Sequence, residues 1–321
     1  MKNLKLFLLI GFLLLSASPY AQYTDIINSN RPGKSMSAFS VGKSVIQAEA
    51  GLYGIREKHD LLRYEANGFG TEIDVRYGAF FDQFEFTLNT QYQYDWYQAP
   101  LINDTRGGFK QITIGAKYLI YDPFIKKEKP SLYSWKANHS FSWKQFIPAV
   151  AVYAGINLNL ETNPYTFPTD QTLSPKVMII TQNHFGSKWV WVNNIIGDKY
   201  MTDFPSLGIV STLTRGFNMR WTGFLEFQGY KSDFYADTVF RFGAAYLVRE
   251  NIQLDASFNK NVKETPSILM ANVGMSWRFD SNWETNYKRI DGGKKDKKKD
   301  KKSKKDKGKK RKDEVELEKT K

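Results

Sequence analysis

A period-two alternation of apolar and polar residues recurs through most of the chain between residues 44 and 279. In the stretch QFEFTLNTQYQYDW, every second position is aromatic, aliphatic or threonine: Phe84, Phe86, Leu88, Thr90, Tyr92, Tyr94 and Trp96. This period predicts a β-strand with one apolar and one polar face. Twelve such stretches lie near residues 44–54, 69–81, 83–96, 109–121, 147–160, 174–185, 188–197, 206–215, 218–230, 236–248, 251–260 and 267–279.

The length of these stretches favours a membrane over a soluble sheet. Most run 10–14 residues, whereas soluble strands usually have ~5–6 and a tilted strand crosses a bilayer in ~9–11. Aromatic residues cluster towards the ends of the stretches, as in the girdles at the two membrane interfaces. The alternative is a soluble β-sandwich, which would have shorter strands. Because a free sheet edge has no partner in lipid, the sequence predicts an all-β fold: an antiparallel transmembrane β-barrel of about 12 strands over residues 44–279.

The connections between the stretches alternate in length. Those after the second, sixth, eighth and tenth stretches contain the tight turns FDQ, GSK, RGF and REN. Those after the odd-numbered stretches are mostly longer and polar, such as IREKHDLLRYEANG. Outer-membrane barrels have short periplasmic turns and longer extracellular loops. An even number of strands therefore predicts that both termini lie in the periplasm, with outer-membrane lipid as the surrounding partner.

The N-terminal residues differ in composition from the alternating region. Residues 1–21 combine the positive MKNLK, the apolar LFLLIGFLLL and small residues before a cleavage site after Ala21. This order is typical of a secretory signal peptide. A membrane anchor, the alternative, would need ~20 apolar residues. Residues 22–43 are then predicted to form an N-terminal periplasmic segment.

The basic charge of the protein lies in its C-terminal tail. The formal net charge is +13, and residues 294–321 hold sixteen Lys or Arg against seven Asp or Glu. With few apolar side chains to bury, residues 280–321 are predicted to be a disordered, Lys-rich periplasmic tail. Two interpretations stay open: a solvated chain, or attachment of Lys294–Lys321 to a periplasmic anionic partner. Behind a signal peptide, nucleic acid is not an expected partner.

Charged residues recur on the polar face of the predicted strands. They are expected to point inward because a charged side chain at the bilayer midplane costs ~2–4 kcal/mol. Two interpretations stay open: a lining for a solute path, and a network of ion pairs that fills the interior. The solute-path candidates are Glu49, Glu72, Asp74, Arg76, Glu85, Lys117, Arg241 and Asp255, and Arg220, Glu226 and Arg278 share the predicted inward register.

Sequence signals for catalysis or for a cofactor are weak. The chain has no cysteine, which excludes disulfides, cysteine-ligated metals and thiol catalysis. Its three histidines, His59, His139 and His184, have no spacing to serines or carboxylates that predicts a hydrolase or a metal site. The glycine motifs of nucleotide-binding proteins are also missing. We expect no enzyme activity, no cofactor and no metal.

The two ends of the alternating region resemble one known family. Residues 243–279, GAAYLVRENIQLDASFNKNVKETPSILMANVGMSWRF, contain a Gly-x-x-Tyr strand, an N-x-Q-L-D motif and a last strand ending Arg-Phe. Residues 30–51, NRPGKSMSAFSVGKSVIQAEAG, are similar to the family's opening, with Asn30 where the family usually has aspartate. The family is that of outer-membrane transporters grouped with the meta-pathway phenol-degradation barrels, common in Bacteroidetes-type bacteria. The resemblance implies that the strand ending at Phe279 is recognised by the barrel assembly machinery.

The pattern and the resemblance together predict an outer-membrane transporter or channel that passes a small solute through a narrow polar lumen. The alternative is a non-conducting barrel that acts as a structural or assembly partner and uses its basic periplasmic tail for contacts. Conductance across a bilayer distinguishes the two.

Overall fold

The computed structural model describes residues 27, 29–123, 143–160, 163–166, 170–186, 188–233 and 235–280. Most of these residues are in β-strands, with one short 3-10 turn at Trp143–Phe146. The strands are β1 (Val45–His59), β2 (Tyr64–Gly78), β3 (Phe84–Ala99), β4 (Ile102–Tyr121), β5 (Ala149–Leu158), β6 (Leu173–Phe185), β7 (Trp189–Asp198), β8 (Ser206–Gly216), β9 (Trp221–Ser232), β10 (Ala236–Arg249), β11 (Ile252–Asn261) and β12 (Ser267–Asp280).

The twelve strands form one closed antiparallel barrel. Each strand pairs with its neighbours in sequence, and β1 pairs with β12 from Val45↔Asp280 to Lys58↔Ser267. Closure leaves no free sheet edge, which a spanning sheet requires in lipid. The predicted all-β, twelve-stranded antiparallel barrel is confirmed, and its strands cover residues 45–280 against the predicted 44–279.

The outer face of the barrel is apolar, and aromatic residues lie at both ends of its strands. On β3, Phe86, Leu88 and Trp96 all point outward and are exposed. Near one end of this strand the rings of Phe84 and Phe86 pack with centroids 5.0 Å apart. Near the other end, the rings of Tyr94 and Trp96 pack at 5.6 Å. An apolar band between two aromatic ends is the surface that a bilayer covers, so this is a barrel of the outer-membrane type.

Two hairpins on the side away from the termini extend further than predicted. The β1–β2 and β3–β4 connections were expected to be long loops, but only residues 60–63 and 100–101 lie between these strands. Beyond the apolar band, cross-strand pairs such as Arg56 with Glu65, 3.0 Å apart, join the extended arms. Opposite charges on facing strands stabilise such an extension in water.

Among the residues that the structure describes, no helix has the length and apolarity needed to cross a membrane. The predicted signal peptide, residues 1–21, lies outside the described residues. Of the predicted tail, 280–321, Asp280 is the last residue of β12, and residues 281–321 lie outside the described residues.

Residues 29–41, part of the predicted periplasmic segment 22–43, lie inside the barrel, which corrects the predicted position of these residues. We call residues 29–41 the inner segment. It hydrogen-bonds to Glu49 in β1, Asn194 in β7 and Asp255 in β11, which are on different sides of the lumen. The physical reason is that the inner wall offers carboxylates on one side and apolar side chains on the other, and the inner segment carries groups that match both.

Candidate functional site

The inner wall of the barrel has two chemically different sides. The side formed by β1–β3 and β9–β12 is charged, and its carboxylates include the buried Glu49, Glu72 and Asp255. The side formed by β4–β8 carries a cluster of apolar residues beside Lys110, Lys117 and Lys176, whereas the sequence predicted a polar lumen. Its buried residues form one cluster: Leu119, Ala149, Ala151, Tyr153, Met178, Ile180, Val190, Val192, Ile196 and Val210, together with Ala38 of the inner segment.

A row of four residues across the closing strands holds the guanidinium of Arg31. In register, Glu72 of β2 faces Gly51 of β1, Gly51 faces Gly274 of β12, and Gly274 faces Asp255 of β11. Arg31 donates to Asp255 through Nε at 3.3 Å and Nη2 at 3.1 Å, and through Nη1 to Glu72 at 3.4 Å. A Cβ at either glycine would overlap this guanidinium. The two glycines thus form the floor, and the two carboxylates the sides, of an arginine site.

Filling this floor should displace Arg31. We expect Gly274→Val to destabilise the inner segment by ~1–3 kcal/mol, the usual cost of overpacking, because its side chain would occupy the position of the guanidinium. Limited proteolysis of the folded barrel, with cleavage between residues 29 and 41 scored by mass spectrometry, measures the effect. Gly54→Val is the matched control, because a Cβ there meets no atom within 4 Å. Equal protection in both variants would contradict the arginine site.

Further along the inner segment, backbone and side-chain groups bind the same charged wall. Lys34 Nζ lies 2.8 Å from Glu72 Oε1, so that Glu72 is shared by two cations. The backbone N–H of Lys34 donates to Glu226 at 2.8 Å. Arg241, which pairs with Glu226 at 3.8 Å, donates to the carbonyl of Pro32 at 3.3 Å. The charged wall therefore binds backbone groups of the inner segment as well as its charged side chains.

A second ion-pair network holds the end of the inner segment nearest β1. Glu85 binds Arg76 at 2.9 Å and Lys117 at 2.8 Å, and all three side chains are almost completely buried. Lys117 donates to the carbonyl of Phe39 at 2.9 Å, and Arg76 to the same carbonyl at 3.1 Å. Glu85 in turn accepts from the backbone N–H of Val41 at 2.8 Å. Glu85, Arg76 and Lys117 thus bind backbone groups of the inner segment.

The middle of the inner segment packs on the apolar wall. Met36 and Phe39 pack against the buried cluster of β4–β8. Within this wall, Asn194 accepts from the backbone N–H of Met36 at 2.6 Å and donates to its carbonyl at 2.9 Å. Gln182 accepts from the backbone N–H of Ala38 at 3.0 Å. The side-chain amides of Asn194 and Gln182 thus hydrogen-bond to backbone groups of the inner segment, as a neighbouring strand would.

A cavity of about 430 Å³ lies beside the inner segment. Asp74 and Arg241 of the charged wall line it, as do Tyr153 and Met178 of the apolar wall. Lys110 of β4 also lines it. The lumen is therefore filled at the inner segment and hollow beside it.

Tyr165, in the connection between β5 and β6, contacts β3 and β4. Tyr165 donates through its hydroxyl to the carbonyl of Arg106 at 3.1 Å, and the guanidinium of Arg106 lies over the Tyr165 ring at 5.4 Å. Arg106 also pairs with Asp95 at 2.8 Å. Burial raises the pKa of the Tyr165 phenol, and the nearby Asp95 carboxylate raises it further. The phenol therefore stays protonated and can keep donating.

The eight solute-path candidates all lie inside the barrel, but they have different surroundings. Four of them bind the inner segment directly and do not line the cavity: Glu49, Glu85, Lys117 and Asp255. Glu72, Arg76 and Arg241 bind the inner segment and also line the cavity. Asp74 lines the cavity and accepts a hydrogen bond from Asn89. Arg220 is corrected: it lies exposed in the β8–β9 turn, not on an inward strand position.

Sequence reasoning missed Arg31, Lys34, Lys110 and Lys176 as lumen residues. Arg31 and Lys34 precede the first strand, and Lys110 lies in a part of β4 that was predicted to be near a loop. One signal was available for Arg31, because Gly51 and Gly274 interrupt the inward faces of the first and last strands. Glycines on facing strands leave space for a side chain from elsewhere.

Comparisons with known proteins agree with this architecture. The family described as "Putative MetA-pathway of phenol degradation" matches residues 29–279, from the first residue of the inner segment to β12. The chain belongs to this family. No curated protein sequence matches it.

Solved structures with similar folds are distant in sequence. An outer membrane channel from Pseudomonas putida F1 has a TM-score of 0.52 at 10% identity, and the alignment covers 75% of this chain and 98% of that one. The NanC porin has a TM-score of 0.46 at 9% identity, with 71% and 98% covered. At such identities the first similarity supports the barrel fold of this family member and nothing about its solute.

Proposed function

We propose that the protein is an outer-membrane channel that passes a small solute through its polar, partly filled lumen, with both termini in the periplasm. The observation that carries this proposal is the cavity of about 430 Å³ inside a closed barrel whose outer face is apolar. A barrel with a purely structural role needs no hollow lined by charged residues. The family and the fold of the Pseudomonas putida channel support the same function. No catalytic role is part of this proposal.

Conductance of the purified protein in planar lipid bilayers tests the proposal. We expect discrete channel openings for the full chain. We also expect Asp74→Lys to change the conductance, because Asp74 faces the cavity and reversing a charge in a narrow pore changes the local ion concentration. Asp60→Lys is the matched control, because Asp60 is an exposed residue of the β1–β2 connection. A silent barrel would contradict the proposal.

One observation favours a second function. The inner segment fills part of the lumen through buried ion pairs of Arg31 and through apolar contacts, as expected for a non-conducting structural or assembly-partner barrel. In this case the tail, Lys294–Lys321, would supply the contacts through a periplasmic anionic partner, and the strand ending at Phe279 would contact the assembly machinery. Retention by anionic vesicles of the full chain, but not of a chain ending at residue 293, tests the tail contact. The Bacteroidetes-type origin stays a prediction.

A further inference from the structure

Three amide side chains form one patch on the wall of the cavity. Asn89 and Gln91 lie on β3, Gln111 lies on β4, and all three line the cavity. Gln91 faces Gln111 across the β3–β4 pair, and the Cβ atoms of facing residues are ~4.5–5.5 Å apart. Asn89 is two positions from Gln91 on the same face of β3, roughly 6–7 Å along the strand. We call Asn89, Gln91 and Gln111 the amide patch.

A chain of hydrogen bonds that ends on Asp198 fixes the direction of the Gln111 amide. Asp198 accepts from the amide nitrogen of Asn157 at 2.6 Å. The Asn157 oxygen accepts from the Thr113 hydroxyl at 2.7 Å, and the Thr113 oxygen accepts from the Gln111 amide nitrogen at 3.0 Å. Because an ionised carboxylate can only accept, each link takes its direction from Asp198. The Gln111 carbonyl oxygen is left without a donor among the described residues.

A second chain, which ends on Asp95, fixes the direction of the Gln91 amide. Asp95 accepts from the Gln93 amide nitrogen at 2.9 Å, and the Gln93 oxygen accepts from the Tyr53 hydroxyl at 3.1 Å. The Tyr53 oxygen can then only accept, and it does so from the Gln91 amide nitrogen at 3.0 Å. The Gln91 carbonyl oxygen therefore has no donor in the part of the chain that the structure describes.

The third amide of the patch is oriented by a carboxylate directly. Asn89 donates through its amide nitrogen to Asp74, so its carbonyl oxygen is also left without a donor from any described residue. Three carboxylates thus take up the amide nitrogens of the whole patch. What remains for a bound molecule is a set of three neighbouring carbonyl oxygens, which can only accept hydrogen bonds.

The charges around the cavity are balanced. Five charged lining residues form ion pairs with carboxylates or cations: Arg31, Lys34, Glu72, Arg76 and Arg241. Four others form no ion pair with any residue that the structure describes, and they are two cations and two anions: Lys110, Lys176, Asp74 and Asp198. An ion would bring an uncompensated charge into this hollow, which is costly away from water. A neutral solute is therefore favoured.

Lys110 decides which donors suit the amide patch. It precedes Gln111 on β4, at a β-bulge that leaves it without a partner on β3, and it lines the same cavity. An ammonium group of a ligand would be repelled by this like charge beside the patch. A hydroxyl group can donate to a carbonyl oxygen of the patch and accept from the Lys110 ammonium group. Several hydroxyl groups on one molecule would use the whole patch.

Another side of the cavity offers apolar surface. Tyr153, Met178, Ile196 and Val210 belong to the buried cluster of β4–β8 and line the same hollow. Small-molecule sites combine apolar walls with a few polar groups, in volumes of about 300–1,000 Å³. The cavity of about 430 Å³ lies in this range. The carbon–hydrogen face of a hydroxylated ring is the part of such a molecule that packs on this wall.

We propose that this cavity binds a neutral, ring-sized polyhydroxylated solute. Its hydroxyl groups donate to the three carbonyl oxygens of the amide patch and accept from Lys110, and its carbon–hydrogen face packs on the apolar wall. The proposal rests on the proposed function and specifies the solute class.

Myo-inositol is the probe, with cyclohexanol and cyclohexylammonium as matched ligands on the same carbon ring. Cyclohexanol has a single hydroxyl group, and cyclohexylammonium carries a positive charge in its place. Isothermal titration calorimetry of the full chain, folded in detergent, should give measurable binding of myo-inositol. We expect at least tenfold weaker binding of cyclohexanol, which cannot satisfy the patch, and of cyclohexylammonium, which Lys110 repels.

Two substitutions in the amide patch test the role of its carbonyl oxygens. We expect Gln91→Met and Gln111→Met each to weaken myo-inositol binding about fivefold, which corresponds to ~1 kcal/mol, the net contribution of a typical hydrogen bond. Gln98→Met is the matched control, because Gln98 also lies on β3 but is exposed and does not line the cavity. Its affinity should equal that of the wild type.

An affinity for myo-inositol less than tenfold above that for either matched ligand would overturn the proposal, as would wild-type affinity in both patch variants. The ligand comparison uses the unmutated protein, so it stands even where a variant folds poorly. Conductance is measured separately from binding. A conducting barrel without preference for myo-inositol would overturn the polyol site and leave the channel, whereas a silent barrel that binds myo-inositol selectively would support the site and overturn the channel.

Discussion

Arg31→Ala should release the inner segment and increase the current through the barrel. The guanidinium is shared by Glu72 and Asp255, and the side chains of all three residues are at most 6% exposed. Removing one partner of a buried ion pair costs ~3–5 kcal/mol, because the remaining charge stays buried without compensation. Glu72 keeps Lys34 as a partner, so the uncompensated charge is mainly that of Asp255. Single-channel conductance in planar bilayers measures the effect.

Arg56→Ala is the matched control for this substitution. Arg56 also pairs with a carboxylate, that of Glu65 at 3.0 Å, but its side chain is 63% exposed. Such surface pairs contribute ~0–1 kcal/mol, so the conductance and the protection of the inner segment from protease should stay as in the wild type. An Arg31→Ala protein with unchanged conductance and an equally protected segment would show that Arg31 does not anchor it.

Glu85→Ala should lower the free energy of unfolding of the barrel by ~3–5 kcal/mol, since it leaves two buried cations without their shared counter-ion. Those cations are Arg76 and Lys117, both at most 1% exposed. The substitution also removes the acceptor of the Val41 N–H, and an unsatisfied buried donor adds to the cost. The electrophoretic shift between folded and heat-unfolded barrel, followed across a urea series, gives the change.

Glu65→Ala is the matched control for Glu85→Ala, because it removes a carboxylate from an exposed ion pair instead of a buried one. Glu65 is a strand carboxylate with an arginine partner, but that partner is mostly exposed, and its loss should change the unfolding midpoint little. If both glutamate variants unfold at the same urea concentration, the network around Glu85 is not a main source of stability.

The number of strands and the direction of their side chains could be predicted because both follow from local alternation. The outward residues of β3 needed no knowledge of any other strand. The apolar inner wall was less visible, although the run AVAVYAGI in β5 is apolar on both faces. Such a run indicates a strand covered on both sides, and the cover, Ala38 and its neighbours, lies in a segment that was assigned to the periplasm.

The binding of the inner segment could not be predicted because its partners are distant in sequence. Arg31 and Asp255 are 224 positions apart, and Ser29 and Ser276 are 247 apart. Their proximity depends on the closure of the barrel and on the register of β1 against β12. The cavity could not be predicted for the same reason, since its size depends on how much of the twelve-stranded barrel the inner segment fills.

The position of Arg31 has a consequence for assembly. Its guanidinium lies over Gly51 and Gly274, directly on the junction of the first and last strands, and joins β2 to β11 across that junction. The residues just before β1 are made early, but they can complete their contacts only after β12 has joined β1. We therefore expect the inner segment to dock late in assembly, after the barrel has closed, and to stabilise the β1–β12 junction from inside the lumen.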